Sequence, residues 1–191
     1  MGAETLANAC LINLTEIAAF QKTEHPDQKE TACTIPNPVD LIATKSSDAI
    51  EFTNGLTLDC EYAAAMAQFM AQIVQPLAKY HVGEPLILVH SGEGYVCRRR
   101  NNAHTGKLSE HAFGNAMDLV SFEFASGRRL QVRSADSMSA DEAKFFNAVR
   151  QAACGAFTTV LGPGSNAAHA AHLHLDLGRA KGRKNPYRIC E

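Results

Sequence analysis

The chain has 191 residues, of which 46% are hydrophobic and 20% are charged, and its net charge at pH 7 is −2. This composition is typical of a globular domain with a substantial core, and we expect one domain over residues 1–191, with a helical and loop part at 1–57 and a core at 58–191. The charge gives no reason to expect nucleic acid as a partner. No apolar run approaches the roughly 18 residues of a membrane-spanning helix. For the oligomeric state, we expect a monomer.

Six cysteines are spread over the chain without a C-x-x-C pair, which argues against a cysteine zinc ribbon. Their even number and wide spacing suit three disulfides in an oxidising compartment, and the alternative is six reduced, buried thiols. The first four residues lack the basic and apolar regions of a signal peptide, so we expect an export signal to be absent from this sequence. For the disulfides we favour the pairs Cys10–Cys33, Cys60–Cys97 and Cys154–Cys190.

Apolar residues at steps of three and four predict three helices, at residues 4–20, 58–80 and 139–153. Pro76 should kink or end the second helix. The third begins at a capping box, in which Ser139 and Glu142 satisfy each other's backbone amides. Methionine and aromatic side chains on the second helix form a core stripe rather than a set of ligands.

Short apolar or alternating runs predict strands between these helices. Asn54-Gly55 is a turn signal after the second strand, and Ser126-Gly127 is a hairpin signal. We expect an α+β fold in which an antiparallel sheet carries helices on one side. The predicted strands are residues 39–43, 50–52, 86–89, 119–124, 129–133, 158–161 and 172–177.

Side chains with metal-binding chemistry fall into two tight clusters. The first, residues 109–118, holds His111 and Asp118, and the second, residues 169–177, holds three histidines within six positions. Imidazole nitrogen and carboxylate oxygen are the donors of a catalytic zinc, which takes three protein ligands and leaves one position for water. We interpret the clusters as the halves of one hydrolytic zinc site. The three histidines of the second are His169, His172 and His174.

Local geometry determines how each cluster reaches one ion. Alternation places His172 and His174 on the same face of a strand, with their backbones roughly 7 Å apart. On a continuous helix, His111 and Asp118 would be separated by about 10.5 Å of rise, too far for a short aspartate. Gly114 and the asparagine after it supply a turn. We therefore expect Asp118 to open the following strand, beside the second cluster.

Other polar residues have a plainer interpretation. A lone histidine is more often a surface residue than a ligand, and we assign that role to the four histidines outside the clusters. Asp176 is open to two interpretations, since it either orients a histidine ligand or is an exposed acid. The four remaining histidines are His25, His81, His90 and His104.

The motifs of both clusters resemble those of known proteins. The pattern S-x-H-x-x-G-x-A-x-D at residues 109–118, with H-x-H at 172–174, resembles the zinc peptidase superfamily of D-Ala-D-Ala carboxypeptidases, murein endopeptidases and the hedgehog signalling domain. More closely, GYVCRRRN at 94–101, SEHAFGNAMD at 109–118 and LGPG at 161–164 resemble the bacterial extensin-like C-terminal domain family, over most of the chain. The resemblance implies a hedgehog- or DD-peptidase-like fold and a periplasmic or secreted protein.

The superfamily resemblance also implies roles for the clustered residues. By it, the zinc ligands are His111, Asp118 and His174. His172 lies beside the catalytic water as proton acceptor, and His169 can assist it. The arrangement H-x-x-H-x-H at residues 169–174 is similar to that of the penicillin-insensitive murein endopeptidases.

Two further positions bear on the comparison. Ala171 stands where the carboxypeptidases of the superfamily carry a glutamate, so the chain departs from that subgroup. An arginine of the superfamily holds the substrate carbonyl or carboxylate, and Arg98 and Arg100 are the matching candidates. For Arg99 we expect a solvated loop charge.

Together with the zinc site read from the two clusters, the resemblance implies a zinc-dependent hydrolase that cleaves an amide bond in peptidoglycan peptides, as an endopeptidase or a carboxypeptidase. One alternative is a non-catalytic cell-wall-binding module with a structural zinc, and another is a zinc carrier or sensor. The pair His169 and His172 favours catalysis, because neither is needed to complete a three-ligand site.

Overall fold

In the computed structural model, described over residues 3–25, 32–92, 94–178 and 188–191, helices and strands form an α+β fold, as predicted. No helix within these residues combines the length and apolarity needed to cross a bilayer. The helices are α1 (Ala3–Ile17), α2 (Cys60–Phe69), α3 (Gln75–His81) and α4 (Ala140–Ala156), with a π-helical segment (Met70–Val74) between α2 and α3. The strands are β1 (Ala18–Lys22), β2 (Pro38–Thr44), β3 (Glu51–Asp59), β4 (Leu86–Ser91), β5 (Ala116–Phe124), β6 (Arg129–Gln131), β7 (Thr159–Leu161), β8 (Leu173–Asp176) and β9 (Ile189–Cys190).

The strands form one sheet in the order β1-β2-β3-β4-β5-β8-β7-β9, and β6 pairs with β5 as the predicted hairpin. Most neighbouring strands are antiparallel, whereas β3 with β4 and β7 with β9 are parallel. A parallel pair needs a crossover, and the helical segment from α2 to α3 supplies it between β3 and β4. β5 lies near the middle of the sheet, where β4, β6 and β8 all pair with it.

One hydrophobic cluster joins the helices to one face of the sheet. On β5, Met117 belongs to this cluster while the neighbouring Asp118 does not, and on β8 Leu173 and Leu175 belong to it. The Tyr62 hydroxyl of α2 donates a hydrogen bond to the Leu175 carbonyl at 2.7 Å, which places that helix on the leucine side of β8. Because side chains alternate along a strand, the opposite face of the sheet receives the polar residues.

Two predicted helices differ from the structure in how they end. The first was predicted to reach residue 20, but α1 ends at Ile17 and the chain continues as β1, which pairs with β2. The second continues beyond Pro76, which lacks the amide hydrogen for an ordinary helical bond. The π-helical segment accommodates the proline, since the Gln75 amide donates to the Met70 carbonyl five residues back. The predicted capping box at the start of α4 is present.

The predicted turn at Asn54-Gly55 is wrong, because both residues lie inside β3. The register between β2 and β3 gives the reason. Ala43 pairs with Glu51 and Leu41 pairs with Leu56, so residues 52–55 of β3 lie opposite Ile42 and the pairing of the two strands is irregular there.

Three disulfides cross-link the chain, and the described residues contain no free cysteine. Of the predicted pairs, Cys154–Cys190 is confirmed, and Cys10–Cys33 and Cys60–Cys97 are wrong. α1 packs against α2, which brings Cys10 to the first residue of that helix, while the segment before β2 meets the loop after β4. Sequence spacing contains no information on these neighbours. The observed bridges are Cys10–Cys60, Cys33–Cys97 and Cys154–Cys190.

Candidate metal centre

His111, Asp118 and His174 meet on the polar face of the sheet. Each of the three residues offers one possible metal-ligand atom, and these three atoms all lie within 4.8 Å of one another. Asp118 on β5 and His174 on β8 are direct cross-strand partners, and His174 Nδ1 lies 2.9 Å from Asp118 Oδ1. His111 Nε2 lies 3.2 Å from His174 Nδ1 and 3.4 Å from Asp118 Oδ1. Two imidazoles and a carboxylate at these separations can hold a metal ion.

A tight turn brings His111 to the start of β5. His111 lies on a short 3₁₀ helix, Glu110–Phe113, which ends at Gly114 with a left-handed φ of 61°. The Gly114 amide then donates to the His111 carbonyl at 3.1 Å. Asp118 does not open β5 as predicted, because Ala116 and the residue after it already pair with β8. Asp118 therefore lies within the paired part of β5, opposite His174 of β8.

Gly114→Ala is expected to destabilise the protein by at least about 2 kcal/mol, since it adds strain to a left-handed backbone and a steric clash. A Cβ at this position would lie 2.7 Å from the Asp59 amide nitrogen, a backbone atom that cannot move aside cheaply. Gly127→Ala is the matched control, because Gly127 has a φ of 83° but no heavy atom within 4 Å of the added Cβ. Urea unfolding of both variants measures the difference, and equal losses would contradict the role of the clash.

Each histidine of the centre has its second ring nitrogen fixed by an acceptor. His111 Nδ1 lies 2.8 Å from the Gly94 carbonyl, which can only accept, so Nδ1 carries the proton and Nε2 faces the cluster. His174 Nε2 lies 3.1 Å from Asp176 Oδ2. Asp176 is buried. The structure therefore supports the interpretation that Asp176 orients a histidine, and not the interpretation that it is an exposed acid. Acceptors behind the ligands are the usual support of a metal-binding histidine, and the donor set fits a metal ion.

Charges in the centre are strongly coupled. Burial opposes ionisation of Asp118, but hydrogen bonds with His111 and His174 outweigh it and hold the pKa of Asp118 well below its usual range. Burial also opposes protonation of His174, but its hydrogen bonds to Asp118 and Asp176 outweigh it and raise the pKa of His174 to about 9. In the metal-free centre His174 is therefore an imidazolium at pH 7, and it donates from Nδ1 to Asp118 and from Nε2 to Asp176.

His172 and His169 line a cavity of about 450 Å³ above the cluster. His172 lies just before β8, and its Nε2 is 3.6 Å from Asp118 Oδ1. The ring of His169 lies 5.2 Å from that of His172 and 5.7 Å from that of His174, between centroids. Burial is the main cause that lowers the pKa of both His172 and His169, and the charge of Arg98 contributes to both. Both rings are therefore predominantly neutral at pH 7 and able to accept a proton.

The three consecutive arginines have different surroundings. Arg98 and Arg100 line the cavity, whereas Arg99 is exposed, lies outside it and donates to the Gly106 carbonyl. Arg100 is 57% exposed, and its Nη2 lies 3.6 Å from the Glu110 carboxylate. No carboxylate among the described residues lies within ion-pair distance of Arg98.

Several residues that support the site were not predicted. The Gly94 carbonyl and the Asn166 carboxamide each contact a histidine, and Asn115 donates to the buried Glu110 at 2.8 Å. Asparagine is a preferred N-cap residue, and Asn166 caps a short 3₁₀ helix by accepting from the Ala168 amide, while a backbone carbonyl leaves no trace in the sequence. The histidines predicted to lie at the surface are outside the cavity lining, and His90 pairs with Glu123 at 2.9 Å.

Comparison with known proteins gives one family. The family described as extensin-like protein C-terminus matches residues 8–191. No curated protein matches the chain, and no solved structure does.

Proposed function

The chain belongs to the extensin-like C-terminal family, and we propose that it is a zinc-dependent hydrolase that cleaves an amide bond in peptidoglycan peptides. The main support for the proposal is that two imidazoles beyond the three possible metal ligands lie beside the metal centre. His111, Asp118 and His174 already supply three ligand atoms, yet His172 and His169 lie at the same cavity. A structural metal site has no use for two further neutral histidines beside an open space.

Zinc is the metal that best suits this donor set, because nitrogen and carboxylate oxygen in a three-ligand site are its usual catalytic environment. When bound by His111, Asp118 and His174, a zinc ion would supply Lewis-acid chemistry, which polarises a carbonyl and lowers the pKa of a water molecule toward neutrality. The protein contributes the fixed orientations of His111 and His174, which arise from the Gly94 carbonyl and Asp176. The motif resemblance to zinc peptidases supports the same assignment.

His172 is the proposed proton acceptor. Its lowered pKa keeps the ring neutral at pH 7, and its Nε2 lies beside the ligand Asp118, where the attacking water must approach. In the first step His172 takes a proton from that water as the water oxygen bonds to the carbonyl carbon, and it then returns the proton to the leaving amine nitrogen as the C–N bond breaks. His169, next to it, contacts the substrate from the same side of the cavity.

Arg98 is the proposed anchor for the substrate carbonyl or carboxylate. Arg98→Ala is expected to lower kcat/KM by about a hundredfold, since a charged donor in the site is lost. Arg100→Ala should lose less, because Arg100 is mostly exposed and already paired with Glu110. Arg99→Ala is the control from the same loop and should resemble the wild type. A larger loss in Arg100→Ala than in Arg98→Ala would reverse the assignment.

Zinc affinity is expected to fall as the pH falls. The pKa of His174 in the metal-free protein is about 9, so at pH 7 zinc must displace the proton on Nδ1. The apparent association constant should rise about tenfold per pH unit up to pH 9 and then level off. Competition with a chelator from pH 6.5 to 9.5 measures this. Asp176→Asn should move the levelling to lower pH, and a pH-independent affinity in wild type would contradict the assignment.

The direct test is incubation of the zinc-loaded protein with purified muropeptides, read by mass spectrometry. New peptide fragments that disappear after chelation, and in His172→Ala, support hydrolysis. Binding of muropeptides without cleavage by the wild type would favour the cell-wall-binding module instead. Three disulfides are compatible with a periplasmic or extracellular protein, which supports our proposal that the activity lies in such a compartment.

A further inference from the structure

We propose that Asn166 is a positioning residue, whose carboxamide oxygen fixes His169 in the tautomer that carries its proton on Nδ1. His169 Nε2 is then left as a hydrogen-bond acceptor for an amide N–H of the substrate. The tautomer follows from the structure alone, and its use on a peptide rests on the proposed function.

The contacts of Asn166 determine which of its side-chain atoms is the oxygen. The atom that faces the Ala168 amide, at 3.0 Å, must be an acceptor, because a backbone N–H can only donate. The same atom lies 2.8 Å from His169 Nδ1. An oxygen accepts from both groups, so Nδ1 of a neutral His169 carries the proton and Nε2 carries the lone pair.

The segment before Asn166 is firmly held. Arg150 of α4 donates to the Pro163 carbonyl at 3.0 Å. The Ser165 hydroxyl accepts from the Gly162 amide at 2.9 Å and donates to the Glu191 carbonyl at 3.0 Å. The turn is therefore tied both to a core helix and to the end of the chain. Asn166 directly follows this turn, so its backbone position is fixed. The single contact of its carboxamide oxygen with His169 Nδ1 can therefore control the orientation of the His169 ring.

The two cavity histidines thereby receive different tasks. His172 Nε2 lies 3.6 Å from Asp118 Oδ1, at the ligand cluster. His169 is one step further out, with its ring 5.2 Å from that of His172 and edge-on to it. An acceptor at this position complements the N–H groups of a peptide, whereas the opposite tautomer would present a donor and suit a carbonyl oxygen. Asn166 therefore determines whether His169 binds the N–H or the carbonyl oxygen of a substrate amide.

The tautomer is tested by long-range ¹H–¹⁵N correlation NMR of the histidine rings, on the zinc-loaded protein without substrate at pH 8. We expect His169 to carry its proton on Nδ1 in wild type. In Asn166→Ala the population should shift toward the Nε2–H form, which free histidine prefers, and Asn166→Asp, which retains an acceptor, should restore it. Asn147→Ala, an exposed residue of α4, is the control. An Nε2–H ring in wild type, or an unchanged ring in Asn166→Ala, would overturn the proposal.

The consequence for substrate is tested separately. With unchanged zinc content, Asn166→Ala should lower kcat on a muropeptide about tenfold, and Asn166→Asp should recover most of it. If wild type shows no hydrolysis, the proposed function fails, while the NMR result still decides the tautomer. The same variants are then compared by their muropeptide dissociation constants, which should rise about tenfold in Asn166→Ala. Equal kcat or equal dissociation constants in all variants would mean that the tautomer has no role in binding.

Discussion

His174→Ala is expected to lose zinc and hydrolysis together, whereas His172→Ala keeps zinc and loses about a hundredfold or more in kcat. Both histidines approach Asp118, so alternation alone does not separate their roles. The geometry does, because His174 Nδ1 lies 2.9 Å from Asp118 Oδ1 and 3.2 Å from His111 Nε2. His172 approaches the same carboxylate at 3.6 Å without joining the three-residue group.

Metal analysis and muropeptide turnover on the same preparations measure this contrast. His90→Ala is the control, since His90 pairs with Glu123 on a neighbouring part of the sheet and should leave both quantities unchanged. Equal zinc loss in His172→Ala and His174→Ala would show that the two roles are wrongly assigned. Full activity in His172→Ala would transfer the proton acceptor to His169.

Removal of the Cys33–Cys97 disulfide is expected to cost about 4 kcal/mol of unfolding free energy, given the 64-residue separation that it closes. It should also weaken zinc binding. Cys97 lies directly before Arg98 and three residues after Gly94, whose carbonyl fixes His111. The bridge therefore holds the loop that orients a ligand, and its loss leaves that loop free to move.

The double variant Cys33→Ser, Cys97→Ser is compared with Cys10→Ser, Cys60→Ser. The control bridge joins α1 to α2 over a separation of 50 residues, so the stability loss should be similar. Zinc affinity should fall in the first variant alone, measured by chelator competition under conditions where both proteins are folded. The same zinc affinity in both variants would show that the loop keeps its position without the bridge.

The parts of the site that could be predicted depend on local spacing. His172 and His174 both approach Asp118, as alternation along an extended segment predicts, and this holds whatever that segment pairs with. Likewise, a glycine between His111 and Asp118 indicated a turn, which the left-handed Gly114 provides. The fold class followed in the same way, from periodicities that each segment carries by itself.

The parts that could not be predicted depend on neighbours from distant segments. Asn54-Gly55 has the sequence of a turn, but both residues lie inside β3, at the point where its pairing with β2 is irregular. Asp176 stayed ambiguous because its role depends on being buried against His174 Nε2. The two wrong disulfides have the same cause, since α1 and the segment before β2 do not meet each other: α1 packs on α2, and the segment before β2 meets the loop after β4.

Because Asp118 of β5 pairs directly with His174 of β8, a metal ion would bind only when these two strands pair in the native register. β8 is four residues long, and a slip of one residue along β5 would put a leucine opposite Asp118 and turn His174 toward the core. A misregistered chain thus loses its ion together with its buried leucines. Zinc would therefore increase the free-energy difference between the native pairing of β5 with β8 and the pairing shifted by one residue. A protein that folds with metal present would then reach the correct register more often than one that folds without it.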